Sequence, residues 1–451
     1  MNHLTDEVTE LFKKLFPICR SLTGKGVRDS LQILKQIANF DIKNIPSGTK
    51  CYDWEVPDEW NINDAYIKDS NGAKIIDFKQ NNLHVVNYSE PIAKKMHFEE
   101  LNKHLFTLPE LKNAIPYRTS YYKRNWGFCM THEQYEKLDR NTIYEVYIDS
   151  SLSPGNLTYG EALIQGESTQ EYLISTYCCH PSLANDNLSG PILWTLLLRE
   201  MQSMNLKHSY RFIIIPETIG SIAYLAQNEK QMQNINGAFV LTTVAGPGPF
   251  GYKQTFLNNH MIDKAVSDTF NELNLQYNVY PFDIKGSDET QFASPFFRIP
   301  CGLICKDKFY EYDYYHTSLD NLEFVSAKNL IETFKIYLQV IKKIECNLFY
   351  KSKMPYCEPM LSKRGLYPSI GGQINQKASN FNSQHNNRQY QISKDEFFSG
   401  NELDVIRWLM FYCDGTLSLF DIAENINISV NEVFRIAEKL RVADLLKLMK
   451  K

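Results

Sequence analysis

The sequence predicts an α/β fold: a doubly wound, mostly parallel sheet, interrupted by a β-rich insertion and followed by a C-terminal winged helix-turn-helix domain. Three observations carry this. Within residues 154–350, apolar and β-branched runs near 160–165, 171–177, 210–216, 237–243, 277–280 and 301–306 are mostly separated by segments of helical periodicity. That is the pattern of strands whose crossover helices cover both sheet faces. Residues 49–153 hold strand-like runs instead, and from residue 396 onward a helix, a short helix, a turn and a third helix follow one another.

A chain of 451 residues can bury a large core in about two or three domains. The divisions fall at residues 1–48 with 154–350 (the α/β domain), 49–153 (the insertion), 351–395 (a linker) and 396–451 (the winged helix). A formal net charge of −4 gives no reason to expect a polyanionic partner for the whole protein. The ten cysteines show no C-x-x-C pair and no framework spacing, which points to reduced thiols and a cytoplasmic location. The start, Met1-Asn2-His3-Leu4-Thr5-Asp6-Glu7, is too polar for a signal peptide, and no apolar run is long enough to span a membrane.

Taken in order, residues 4–40 read as helices: Leu11, Phe12, Leu15 and Phe16 recur at helical spacing, and Leu31, Leu34, Ile37 and Phe40 do so after a turn at Thr23-Gly24. Arg20 and Arg28 are read as solvated surface charges, with an anionic partner as the alternative for each. The insertion has strand patterns at 52–56, 73–78, 84–88 and 142–148, with a hairpin signal at Asn71-Gly72. Its cluster of Tyr117, Arg118, Tyr121, Tyr122 and Trp126 is either cleft wall or core. An amphipathic helix over about 326–345 closes the α/β domain. The linker contains Gly371-Gly372 and a polar run at 380–387. In the last domain Ser418 and Ser429 stand where helix caps belong. There Arg435, Lys439 and Arg441 share their helices with Glu432, Glu438 and Asp444, so DNA is not an expected partner. Its surplus of apolar residues leaves room for packing on the α/β domain or for a homo-oligomer.

The chemistry centres on Tyr177-Cys178-Cys179-His180-Pro181-Ser182-Leu183-Ala184-Asn185-Asp186-Asn187-Leu188-Ser189-Gly190, which lies between a strand pattern and a helix pattern, where open α/β sheets place their sites. His180 and Asp186 can converge on a zinc ion, with Asn185 and Asn187 bracing the carboxylate. Alternatively, the histidine ends a strand and the aspartate caps the helix. Two distant segments supply further groups: Glu217, exposed where Pro216 breaks a buried strand, and His316, in Tyr314-Tyr315-His316-Thr317-Ser318-Leu319-Asp320.

With these residues the chain resembles the zinc aminopeptidase superfamily that also contains glutamate carboxypeptidases and glutaminyl cyclases. His180, Asp186-Asn187-Leu188-Ser189-Gly190, Glu217 and His316-Thr317-Ser318-Leu319-Asp320 match that family's order, and Ser287-Asp288-Glu289-Thr290-Gln291-Phe292 is similar to its "S-D-H-x-x-F" segment, with Glu289 for the histidine. The resemblance implies a sheet of zinc-aminopeptidase type and His180, Asp186 and His316 as metal ligands. It leaves Glu217 either as general base or as ligand. The family's adjacent pair of glutamates is reduced here to Glu217 alone, and residues 241–246, where a second-metal aspartate would fall, contain no acid. One zinc ion per chain is therefore expected.

The segments Asp53-Trp54-Glu55-Val56-Pro57, Leu83-His84-Val85-Val86-Asn87-Tyr88-Ser89, Ile115-Pro116-Tyr117-Arg118-Thr119-Ser120-Tyr121-Tyr122 and Trp126-Gly127-Phe128-Cys129 are similar to those of a closer group. It comprises uncharacterised bacterial aminopeptidase-like proteins, encoded among polysaccharide-biosynthesis genes, that carry a C-terminal winged helix. The implied activity is zinc-dependent hydrolysis of an amide, aminopeptidase-like or deacylase-like, on a small amide, a peptide-like molecule or a modified sugar. Asp288, Glu289 and Tyr315 are the candidate substrate-binding residues. The competing reading is a metal-binding regulator or scaffold with weak or no catalysis.

Overall fold

Apolar spacing sets the amino-terminal helices. Helix α1 (Asn2–Leu15) buries Val8, Leu11, Phe12 and Leu15, and α2 (Lys25–Lys35) buries Val27, Leu31 and Leu34, each set forming one stripe. The computed structural model describes residues 2–367 and 402–449. These fall into two units, Met1–Gln339 and Val340–Lys451.

Arg20 departs from the surface expectation, while Arg28 takes the alternative of an anionic partner. Arg20 is 1% exposed, and Arg28 forks onto Glu59 through contacts of 2.9 and 2.7 Å. Burial acts to raise the Glu59 carboxyl, but hydrogen bonds from Arg28, Asn61 and the Asn156 N–H outweigh it and bring the pKa down to about 2. A depressed carboxyl pKa stabilises the fold above the unfolded-state value and loses that contribution as pH falls toward the folded-state value. Glu59→Gln should therefore cost about 1–2 kcal/mol near pH 7, allowing for screening at the Arg28 end, and much less near pH 2–3. Denaturant melts of both proteins at the two pH values check this, and an equal cost at both would contradict it.

After β1 (Asp41–Pro46) the insertion forms an antiparallel sheet from β2 (Glu59–Lys68), β3 (Lys74–Asp77), β4 (Ile92–His97) and β5 (Ile143–Ser153), in the order β3-β2-β5-β4. Gly72, at φ 82°, turns the chain between β2 and β3. The strand expected at 84–88 is absent. Asn82–His84 is a 3-10 turn capped by the Asn81 side chain, and His84 turns its Nδ1 to the Cys129 carbonyl oxygen at 2.8 Å, so local side-chain bonds override a strand-like sequence.

The main sheet combines β1 with β6 (Asn156–Ile164), β7 (Glu171–Tyr177), β8 (Ser209–Ile215), β9 (Ile235–Leu241), β10 (Phe250–Lys253), β11 (Tyr277–Tyr280) and β12 (Cys301–Lys306), in the order β1-β6-β8-β7-β9-β12-β10-β11. It is a mixed sheet. The central β8-β7-β9-β12 pairs are parallel, while β1-β6, β6-β8 and β12-β10 are antiparallel. Every residue of β7 and β8 is buried, as strands covered on both faces require. Helices α3 (Ser189–Met201), α4 (Ile219–Gln227), α5 (Met261–Glu272) and α6 (Ala327–Glu345) complete the α/β pattern.

The C-terminal unit contains β13 (Phe349–Ser352), α7 (Glu402–Tyr412), β14 (Asp414–Ser418), α8 (Leu419–Ile426), α9 (Val430–Val442) and β15 (Leu446–Leu448). Strand β13 lies between β14 and β15, so residues 349–352 belong to the winged-helix sheet rather than to the end of the α/β domain and the start of a linker. A four-residue strand paired on both edges carries too little sequence signal to be seen beforehand. Ser418 caps α8 in a reciprocal box with Asp421, whereas Ser429 makes no side-chain cap bond to α9. Gly371-Gly372 and the 380–387 run lie outside the described residues.

Candidate metal centre

The site lies beyond the C-terminal ends of β7, β8 and β9. The Cys178 N–H donates to the Ile215 carbonyl, extending the β7-β8 register up to Cys179 and His180. His180 is 4% exposed, and burial pushes its pKa down to about 4, leaving a neutral imidazole suited to a metal. Arg20 fixes the backbone here, donating from Nε to the His180 carbonyl (2.9 Å) and from Nη1 to that of Leu15 (2.6 Å).

The loop from His180 to α3 is held by its asparagines. Asn187 Nδ2 donates to Thr176 Oγ1 and to the carbonyls of Tyr177 and Leu241, all at 3.2 Å. Asn185 accepts from the Ala245 N–H and donates to the Lys306 carbonyl. Both therefore brace the loop backbone and not, as expected, the Asp186 carboxylate. Gly190 is required where it stands, because a Cβ there would lie 2.3 Å from the Leu241 carbonyl oxygen.

Asp186 Oδ1 accepts from the Tyr177 hydroxyl at 2.5 Å, and that hydroxyl also meets Thr242 Oγ1 at 2.7 Å. Burial would raise the Asp186 carboxyl, but His180, His316 and Tyr177 more than offset this and hold it below the ordinary range. Its other oxygen, Oδ2, lies 2.9 Å from His316 Nε2 without the alignment of a hydrogen bond, and both atoms are buried and otherwise unpartnered. Ligand atoms of His180, Asp186 and His316 all fall within 4.8 Å of one another. Zinc takes imidazole nitrogen and carboxylate oxygen ligands in tetrahedral sites, so this clustered donor set fits the ion in chemistry.

His316 takes a left-handed backbone (φ 55°) and is pinned by the insertion: its carbonyl accepts the Tyr117 N–H at 2.8 Å, and the Ser318 N–H donates to Ile115. The Tyr117 ring lies 5.1 Å from that of His180 and 5.2 Å from that of His316. Asp320, in the same motif, is fully buried and receives the Asn185 and Asp186 N–H groups at 2.6 and 2.9 Å. Burial raises its pKa to about 7 despite those donors.

Glu217 follows β8 on a turn where Thr218 has φ 61° and ψ −79°. Its Oε1 accepts from Ser287 Oγ at 2.6 Å, and Oε2 lies 3.8 Å from His180 Nε2 with 26% of the side chain exposed. Burial, with the negative charges of Asp288 and Asp186, holds this carboxyl above the usual range. A second grouping of possible ligand atoms, Cys179, His180 and Glu217, shares only His180 with the first.

Each residue expected to bind substrate has a partner within the protein. Asp288 is buried and accepts from the Thr218 N–H and Ser221 hydroxyl, both at 2.8 Å, so it anchors the Glu217 turn. Glu289 is buried against Lys253 at 2.8 Å, its charge already matched. Tyr315 stacks on the His316 ring at 3.9 Å and so packs behind a candidate ligand. The sequence assigns no role at the site to Tyr177, Arg20 or Ser287 individually. The first two read as strand end and surface, and Ser287 meets Glu217 from seventy positions further along the chain.

Residues 9–347 match the model of a family described as a domain of unknown function, DUF4910. The chain belongs to that family. Beyond the DUF4910 region, residues 390–448 match a winged helix-turn-helix family. A Clostridium acetobutylicum protein, named provisionally as a polysaccharide biosynthesis protein with aminopeptidase-like domain, is 43% identical over 443 residues, covering 98% of this chain and 96% of its own. A crystal structure from C. acetobutylicum, provisionally described as a peptidase, aligns at TM-score 0.85 and 41% identity over 99% of this chain and 97% of the other. A zinc aminopeptidase from Bacillus subtilis aligns at TM-score 0.56 over 76% of this chain and 94% of its own, and at 13% identity it speaks for the fold alone.

Proposed function

We propose that this protein is a zinc-dependent hydrolase of an amide bond in a small amide or peptide-like substrate, aminopeptidase-like or deacylase-like, with one zinc ion per chain held by His180, Asp186 and His316. The observation that carries the reading is the approach of two buried, unpartnered ligand atoms, Asp186 Oδ2 and His316 Nε2, beside a neutral His180. A zinc ion bound there supplies a Lewis acid that polarises the scissile carbonyl and acidifies the attacking water. Glu217 stands outside the three-ligand group, with Ser287 holding Oε1 and leaving Oε2 to take the proton of that water and return it to the leaving amine. The lone Glu217 and the lack of an acid at residues 241–246 support a single ion, and the Tyr177 hydroxyl already engages Asp186 Oδ1. The name of the Clostridium relative supports an amide on a modified sugar as the substrate class. The test is a panel of aminoacyl, acyl-sugar and peptide amides, with protein stripped of metal and reloaded with zinc. Activity that needs zinc on one class supports the hydrolase, and metal binding without turnover on any class favours a scaffold.

The winged helix is not a DNA reader on this view. Arg435 bonds Glu432 and Glu402 (2.6 and 3.1 Å), Arg441 bonds Glu438 (2.8 Å), and Lys439 pairs with Glu402, so the cations of α9 are matched within their own unit. Neutralising phosphates would first require breaking those pairs. The full-length protein should bind duplex DNA more weakly than about 10⁻⁴ M at physiological salt. Micromolar binding with a steep salt slope in an anisotropy titration would reverse this.

A further inference from the structure

A pocket of about 420 Å³ opens in the first unit, away from the candidate ligands and within the size range of small-molecule sites. Its walls include Tyr88, Tyr121, Tyr122, Glu55, Asp58 and Arg124. Tyr88 packs edge-on to Tyr121 at 5.4 Å, and the Tyr121 hydroxyl bonds that of Tyr117 at 2.8 Å. Tyr117 is the ring that contacts both His180 and His316, so one phenol pair separates this pocket from the candidate metal centre.

The lining chemistry selects among ligands. Its two carboxylates are already matched: Glu55 by Lys50 at 2.5 Å and Asp58 by Arg124 at 2.8 Å. An ammonium ligand would find no spare acid there. An anion would find Arg124 engaged and only Lys123, at the exposed edge, beside it. What the pocket offers is paired charges, the exposed Tyr122 oxygen, which donates to the Glu55 carbonyl and can still accept, and aromatic faces. Tyr122 is 52% exposed and meets Trp54, 43% exposed, at 5.7 Å, while its hydroxyl is held by the Glu55 carbonyl at 2.9 Å. Fixed, amphipathic aromatic rings beside paired polar groups suit a neutral ring with one apolar C–H face and a rim of hydroxyls.

We propose that this pocket binds a neutral pyranose at a site separate from the candidate metal centre. The binding does not depend on the hydrolase reading. The probe is N-acetylglucosamine, followed by saturation-transfer NMR on the full-length protein with and without zinc, and leucinamide is the competing ligand. Ring-proton signals should appear in both metal states and weaken at least tenfold in Tyr122→Ala, whose exposed side chain can be removed without opening the core. Arg124→Ala, which frees Asp58, should also weaken the sugar and admit leucinamide. No sugar signal in the wild type, or a signal unchanged in Tyr122→Ala, would overturn the proposal, as would leucinamide displacing the sugar from the wild type. A sugar that binds in both metal states to a protein with no amidase activity would leave the pocket standing and remove the hydrolase.

Discussion

Zinc analysis of His316→Ala should give near-zero metal where the wild type holds one equivalent. His316 Nε2 and Asp186 Oδ2 approach at 2.9 Å, and neither buried atom has another hydrogen-bond partner, so both are available to one cation. Losing an outer-shell partner already weakens a metal site by about 10–100-fold, so loss of a direct ligand should exceed that range. The side chain is 34% exposed and the motif is held through its backbone to Tyr117 and Ile115, so the variant should fold. Two equivalents in the wild type would mean that Tyr177 yields Asp186 Oδ1 to a second ion. Full occupancy in the variant would shift the site to Cys179, His180 and Glu217.

Glu217→Gln should retain zinc and lose about 10²–10⁴-fold in turnover, the usual range for a positioned general base. Glutamine keeps the size of the side chain and an oxygen to accept from Ser287, so the turn at Thr218 has no reason to move. What disappears is the basic oxygen facing His180. A split between metal content and rate identifies Glu217 as the base. Loss of zinc together with rate would make it a ligand, and an unchanged rate would remove it from the chemistry.

The sequence legibly carried those parts of the site whose signal is local. His180, Asp186, Glu217 and His316 each sit beside a strand end or a compact motif, and the three candidate ligands meet in space. Local signal failed where a residue's role depends on what faces it. Arg20 has the composition of a surface residue but lies under the His180 loop because Leu15 and His180 offer it carbonyls. Glu289 looks available until Lys253, from the end of β10, is found against it. Asn185 and Asn187 flank a carboxylate in sequence, yet their amides reach outward to the ends of β7, β9 and β12.

The sequence by itself determined the α/β class, the β-rich character of the insertion, the winged helix and the order of the candidate ligands, because apolar periodicity and short motifs are properties of neighbouring residues. Only the tertiary structure decided that the sheet is mixed, with antiparallel strands flanking a parallel centre, since strand direction depends on pairings between distant segments. Only it brought Tyr177 and Thr242 together on Asp186, and Tyr117 of the insertion against both histidines. Those contacts join residues far apart in the chain, and the directional hydrogen bonds and ring packing that select them exist only once the backbone has closed around the site.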